Sequence, residues 1–294
     1  MILRCSSASL AVLLIVPALL VGAGTIENEH FQRTWERTDR AVAEGAVARS
    51  WVWGPEPISP VIQEPYAESP GGMREVQYFD KARMEITHPE TGDPASIWYV
   101  TNGLLVFELI LGNVQRGDTS FDYIGPAAIP VAGDLDDANS PTYATFSPMY
   151  ESNLLAAPPR PVGAVIAERV DRHGVVRVDP ELASLNVTVA FLDETTEHAV
   201  AEPFWAFMNA SGPVYESDAL VTAQLFENPF FGTGRPITEA YWARVRVGGA
   251  QRDVLLQCFE RRCLTYTPGN PEGFVVEAGN VGLHYFNWRY GVAE

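Results

Sequence analysis

Cysteine is scarce: the 294-residue chain holds three, Cys5, Cys258 and Cys263. Its five histidines, His30, His88, His173, His198 and His284, never fall at the His-Glu-x-x-His spacing that sets two imidazoles on one helix face, so no zinc signature exists. A Gly-x-Ser-x-Gly elbow, a Ser-x-x-Lys pair and a phosphate-binding glycine loop are all missing. Serine-hydrolase and nucleotide-binding chemistry therefore lose their main sequence support. Basic residues are also few, 20 against 37 acidic, for a formal charge of −17. Such a surface repels phosphate backbones and anionic headgroups, so no nucleic-acid partner is expected. No metal and no cofactor is expected either.

Apolar residues make up 47% of the chain, with 7 Trp, 14 Phe and 11 Tyr, enough to bury a sizeable core and to exclude a disordered tail. Arg4 is the only charge among the first 26 residues, and the apolar run Leu10 to Val21 behind it has 12 residues. That is short of the roughly 20 that span a bilayer, and Val21-Gly22-Ala23 offers small residues for a signal peptidase. Residues 1–23 are thus expected to be a cleaved secretory signal, an uncleaved anchor being the alternative, with no membrane span after its removal. The mature chain would be secreted or held at the cell surface. It would keep Cys258 and Cys263 alone, a disulfide candidate in an oxidising compartment.

The most informative feature is an internal similarity. Val76-Gln77-Tyr78-Phe79-Asp80-Lys81-Ala82-Arg83-Met84-Glu85-Ile86-Thr87 aligns without gaps on Leu256-Gln257-Cys258-Phe259-Glu260-Arg261-Arg262-Cys263-Leu264-Thr265-Tyr266-Thr267. Glu64-Pro65-Tyr66 upstream answers Glu239-Ala240-Tyr241, Gly71-Gly72 answers Gly248-Gly249, and the apolar run at Gly103-Leu104-Leu105 answers Gly282-Leu283. Each copy reads as an aromatic helix, a turn and a hairpin. Phe31 and Trp35 lie four apart on one helical side, and Phe204, Trp205, Phe207 and Met208 crowd another helix that Pro203 could open. With turns at Asp80-Lys81 and Glu260-Arg261, Gln77, Phe79, Ala82, Met84 and Ile86 share a buried face, matched by Gln257, Phe259, Arg262, Leu264 and Tyr266. The same register sets Cys258 opposite Cys263, near enough to bridge. Between the copies, Gly125-Pro126, Ser140-Pro141 and Pro158-Pro159 punctuate strand-like runs at 162–170, 175–178 and 185–192. The expected fold is α+β and dominated by β-hairpins: a first module at 24–120, a strand-rich connector at 121–195 and a second module at 196–294.

Thr196-Glu197-His198, Phe204 with Phe207, Pro236-Ile237-Thr238-Glu239 and Gln257-Cys258-Phe259-Glu260-Arg261 resemble the signature Thr-Gly-His, Phe-x-x-Phe-Trp, Gly-x-Pro-x-Thr-Glu, Gln-Tyr-Phe-Glu-Arg of secreted bacterial repeat modules. More distantly they are similar to the LGFP repeat. In this chain Glu197 stands for the Gly, Cys258 for the Tyr, and Val61-Ile62-Gln63-Glu64 is where the first copy would carry Pro-x-Thr-Glu. The resemblance implies an extracellular module associated with cell-wall polysaccharide.

Aromatic side chains next to turns or charges are the candidate ligand contacts: Trp51 and Trp53 leading into Gly54-Pro55, and Trp242 and Trp288 beside charged residues, where an open indole could stack on a sugar ring. Glu64 and Glu239, with Asp80 and Glu260, are the carboxylates to test for a glycan or peptidoglycan hydrolase. Their duplication favours structure, because a catalytic pair is asymmetric, and Glu239 is expected to accept backbone hydrogen bonds near a helix start. His198 and His284 read as ordered hydrogen-bonding histidines, the latter in a strand-like run. Asp134, Asp136, Asp137 and Asn139 read as a solvated turn rather than a calcium loop. The favoured function is non-catalytic binding or organisation of envelope material, in particular polysaccharide, with the hydrolase and a purely structural surface protein as alternatives.

Overall fold

The computed structural model describes residues 24–151 and 159–291, so the expected signal at 1–23 and Pro158 of the double proline lie outside the described residues. The chain is a mixed α+β, hairpin-rich fold. Helix α1 (Glu29–Ala43) starts where the Asn28 side chain accepts the His30 and Phe31 backbone N–H groups, with Glu29 in its first turn and Arg40 in its last, an arrangement the helix dipole favours at both ends. Helices α2 (Leu105–Leu111), α3 (Tyr143–Glu151), α4 (Glu202–Met208), α5 (Phe230–Thr233) and α6 (Val281–Tyr290) follow. Pro203 sits in the first turn of α4, where its missing N–H costs nothing.

An N-terminal antiparallel sheet joins Ile62–Pro65, Met73–Tyr78 and Arg83–Ile86. A six-stranded sheet runs, in spatial order, Val276–Ala278, Cys263–Tyr266, Ala250–Cys258, Tyr241–Val247, Glu168–Val170 and Val176–Val178. Its neighbours are antiparallel except for a parallel contact where Trp242 meets Arg169. Both central ribbons have the expected register, with Gln77 opposite Met84 and Gln257 opposite Leu264. Cys258 faces Cys263 with Cα atoms 4.0 Å apart and the sulfurs bonded.

Several hydrogen bonds recur in the two ribbons. Gln77 Nε2 donates to the Ser59 and Thr25 carbonyls at 3.1 and 3.0 Å, and Gln257 Nε2 donates to those of Thr238 and Ala199 at 2.9 and 2.8 Å. Tyr78 N donates to Ser59 Oγ and Cys258 N to Thr238 Oγ1, both at 3.0 Å. Phe79 and Phe259 are each fully buried and bridged to a proline, Pro57 and Pro236. This register corrects two expected matches. Ser59 stands where Thr238 does, so the structural counterpart of Pro236-Ile237-Thr238 is Pro57-Ile58-Ser59, not Val61 to Glu64. Tyr241 pairs with Leu256 as Ile62 pairs with Val76, so the structural counterpart of Glu64 is Ala243, and Glu239 corresponds to Pro60.

Three further expectations are corrected. First, both faces of each ribbon are buried, not one. Phe79, Ala82, Met84 and Ile86 pack with Phe31 and Trp53 of the N-terminal layer, and Phe259 and Leu264 pack with Phe204 and Met208 of α4. The opposite faces, with Val76 and Tyr78 from one ribbon and Leu256, Cys258 and Cys263 from the other, share a central cluster with residues of α2, α3 and α6. Second, the run containing His284 is helical: Val281, His284 and Tyr285 are buried at spacings of three and four, the helical period rather than that of a strand. Third, the connector is not a separate strand-rich unit. It contains α3, its strands Glu168–Val170 and Val176–Val178 extend the six-stranded sheet, and Val189–Asp193 pairs with His198–Ala201.

The helices after the ribbons are exchanged. Phe107 N of α2 donates to the Glu260 carbonyl in the turn of the second ribbon at 3.1 Å, and Leu283 N of α6 donates to the Asp80 carbonyl in the turn of the first at 3.0 Å. Approach is close enough that a Cβ on Gly282 would lie 2.0 Å from the Phe79 carbonyl oxygen, so only glycine fits there. By these contacts Phe107 corresponds to Leu283, which shifts the expected match of Gly103-Leu104-Leu105 onto Gly279-Asn280-Val281.

Candidate functional site

The face of the first ribbon that α6 covers is charged. Arg83, fully buried, lies 2.7 Å from Glu85 and 3.3 Å from Glu64, while Arg74 lies 3.4 Å from Glu85. Arg289 of α6 reaches Glu64 at 2.8 Å, and Tyr78 and Tyr290 donate to the other oxygen of Glu64 at 2.5 and 2.9 Å. Glu108 of α2 accepts from Gln115 N at 2.9 Å and from the Tyr285 hydroxyl. Burial opposes ionisation of Glu64 and Glu85, but the guanidinium groups outweigh it: Glu64 is held below its usual value, chiefly by Arg83 and Arg289, and Glu85 is held down to about 2 by Arg74 and Arg83. Glu108 goes the other way, raised by burial that Arg83 only partly offsets. At the same places in the second ribbon stand Ala243 opposite Val254 and Cys258 opposite Cys263. One ribbon fills this layer with paired ions, the other with apolar groups and a disulfide.

This charged layer opens to solvent at Glu85. A cleft of about 320 Å³ is lined there by Tyr66, Glu85, Trp98, Tyr99, Gln115 and Arg261, with Thr87, His88 and Thr101. Four parts of the chain build it: the end of the N-terminal sheet, the irregular segment 87–104, the strand Asn113–Gln115, which supplies Gln115, and the turn of the second ribbon, which supplies Arg261. The Trp98 indole is 44% exposed and has Phe231 and the Arg261 guanidinium against it, each 5.6 Å away. Gly103, at φ 47°, passes so close to Arg83 that a Cβ would lie 2.6 Å from Nη2, which lets the chain leave the cleft for α2.

The aromatic candidates of the sequence lie elsewhere. Trp53 and Trp242 are 1% and 0% exposed and present no face to a ligand. Trp53 packs near Phe79 and Phe231, and Trp242 Nε1 donates to the Ile166 carbonyl at 2.9 Å. Nearby charge misleads here: Arg244, two positions along the strand, reaches solvent while the Trp242 indole is enclosed with Ile166, Phe204 and Leu255. Trp51 and Trp288 are half-buried, and Trp288 Nε1 donates to the Gly125 carbonyl at 3.0 Å. Glu64 and Glu239 are not brought together: Glu64 belongs to the ionic layer, and Glu239 accepts from His198 Nδ1 and Ala199 N, both at 3.1 Å. The backbone it caps is the strand His198–Ala201, not a helix start. His284 is buried against the Tyr143 hydroxyl at 3.0 Å, and burial pushes its pKa down to about 4.

The acidic turn is engaged internally. Asp134 accepts from Gly248 N, Gly249 N and Arg246, Asp136 from Arg246, and Asp137 from Arg246 N. Among the described residues no group of three or more His, Cys, Asp or Glu is placed to hold a metal ion, and no helix is long and apolar enough to cross a membrane. Trp98, Tyr99 and Tyr66 were not singled out by the sequence reasoning. Their available signal was Gly92-Asp93-Pro94 just before Ile97-Trp98-Tyr99, which places two large rings on an irregular segment instead of a core strand. Comparison with protein families, curated proteins and solved structures finds no match.

Proposed function

We propose that this is a secreted, non-catalytic protein that binds or organises cell-envelope polysaccharide, that the Trp98 cleft is its binding surface, and that the two ribbons descend from one duplicated unit. The shared hydrogen bonds of Gln77 and Gln257 support the duplication. Glu197 supports the kinship to secreted repeat modules: its φ is 57°, and the signature carries Gly at that place, the residue that adopts this backbone without strain.

The observation that carries the binding role is the exposed indole of Trp98 at the edge of a cleft lined mainly by hydrogen-bonding side chains. Such a pairing of a flat apolar ring with polar neighbours suits the alternating apolar faces and hydroxyl edges of a pyranose. The hydrolase alternative fits less well. Among the described lining residues Glu85 is the one carboxylate, and its low pKa leaves it unable to donate a proton near neutrality, whereas glycoside hydrolysis needs a protonated acid beside a second carboxylate.

Retention on isolated cell-wall fractions tests the proposal. Wild type and a Tyr123→Ala variant, which alters a ring 72% exposed outside the cleft, should be retained, and Trp98→Ala should be released. Equal retention of Trp98→Ala and wild type would overturn it.

A further inference from the structure

A second concavity, of about 380 Å³, lies on the opposite side of the segment that carries Trp98. Five stretches distant in sequence meet around it: α1, residues 52–53, residues 95–100, residues 215–217 in the hairpin of Ser211–Glu216 with Ala219–Gln224, and residues 225–231. Its walls are apolar, formed by Val52, Ile97, Val100, Leu225, Phe226 and Phe231. Protein interiors close such spaces to near-crystalline density, and this volume falls in the range of about 300–1,000 Å³ typical of small-molecule sites.

The rim decides the charge of the occupant. Arg33 and Arg37 stand against Glu216 and Glu227, two cations and two anions, with Arg37 already 3.4 Å from Glu216 and 3.3 Å from Glu227. The mouth is therefore neutral, on a molecule whose net charge of −17 disfavours anions at longer range. We infer that this cavity is a binding site for a compact, uncharged, mainly apolar molecule, separate from the glycan cleft and independent of it.

Two fluorescent probes that share a ring system separate the possibilities: the neutral phenylnaphthylamine and its anionic relative anilinonaphthalene sulfonate, each titrated into the full mature chain. The neutral probe should bind saturably, one molecule per chain, and about tenfold more tightly than the sulfonate. Ile97→Trp and Ser96→Trp, each placing an indole in the cavity from a surface segment, should each weaken the neutral probe by about tenfold or more, with far-UV circular dichroism unchanged. Two variants guard against one that folds poorly. Emission that rises without saturating, binding retained in both filled variants, or a preference for the sulfonate would overturn the inference. Because Trp98 is not among the residues that line this cavity, loss of glycan retention with normal probe binding in Trp98→Ala would separate the two sites.

Discussion

Arg289 of the last helix lies 2.8 Å from Glu64 of the first sheet, and this contact fastens the end of the described chain to its beginning. Removing one partner of a buried pair leaves the other charge uncompensated, at a cost of about 3–5 kcal/mol. Arg83 remains 3.3 Å from Glu64 in such a variant, so Arg289→Met should lose stability near the lower end of that range. Urea denaturation checks it, and a loss under about 1 kcal/mol would mean that Arg289 is dispensable to the layer.

The tryptophans should divide by burial. Trp53→Ala and Trp242→Ala remove fully enclosed indoles and should each cost about 3–5 kcal/mol. Trp98→Ala, at a site 44% exposed, should cost about 1 kcal/mol or less. Thermal melts of the three variants side by side give the comparison.

Stability should fall with acid in two stages. His284 has a folded pKa of about 4 against an ordinary 6.5, so its share is complete above pH 6.5 and is lost as pH falls towards 4. Glu85, at about 2 against 4.5, contributes fully above 4.5 and loses that share on the way down to 2. Each is worth on the order of 3 kcal/mol. Glu108, whose pKa is raised, acts in the opposite sense and blunts the lower stage. Unfolding free energy measured from pH 7 to 3 should show the upper stage disappear in His284→Gln, which keeps a hydrogen-bonding group for Tyr143 but does not titrate.

The Cys258–Cys263 bond closes a loop of five positions, so its effect on the unfolded chain is small, about 2 kcal/mol. A Cys258→Ala/Cys263→Ala variant should melt lower by that amount yet keep the fold, since Ala243, Val254 and Leu256 still fill the surrounding cluster. Melts with and without reductant should differ for wild type and coincide for the variant.

Glu197 adopts φ 57°, a region that costs a side-chain-bearing residue roughly 1–2 kcal/mol. Glu197→Gly should therefore leave stability unchanged or raise it by up to about 1 kcal/mol, after the extra chain entropy of glycine is subtracted. A lower melting temperature would show that the Glu197 side chain contributes more than its backbone costs.

What could be read from the sequence was the local part. The twelve-residue similarity placed both ribbons and their turns, and the period-two register put Cys258 across from Cys263, because a hairpin's pairing follows from residues within a few positions of one another. The helical spacing of Phe31 with Trp35, and of Phe204 with Met208, gave α1 and α4. The exchange of α2 and α6 could not be read, since it depends on which ribbon turn each helix reaches across the chain. The cleft was hidden for the same reason: Glu85, Trp98, Gln115 and Arg261 meet only after that exchange. Trp242 shows the converse error: charges nearby in sequence, at Glu239 and Arg244, did not predict a ring that Ile166, Phe204 and Leu255 enclose from distant parts of the chain.

The exchanged helices also impose an order in time. The strands that bear Arg74, Arg83 and Glu64 leave the ribosome long before α6 is made, and until it arrives their charged face has neither Arg289 nor Tyr290 to close it. Closure of this layer therefore waits on the synthesis of α6, and a chain cut short before Arg289 would leave Glu64 without that partner.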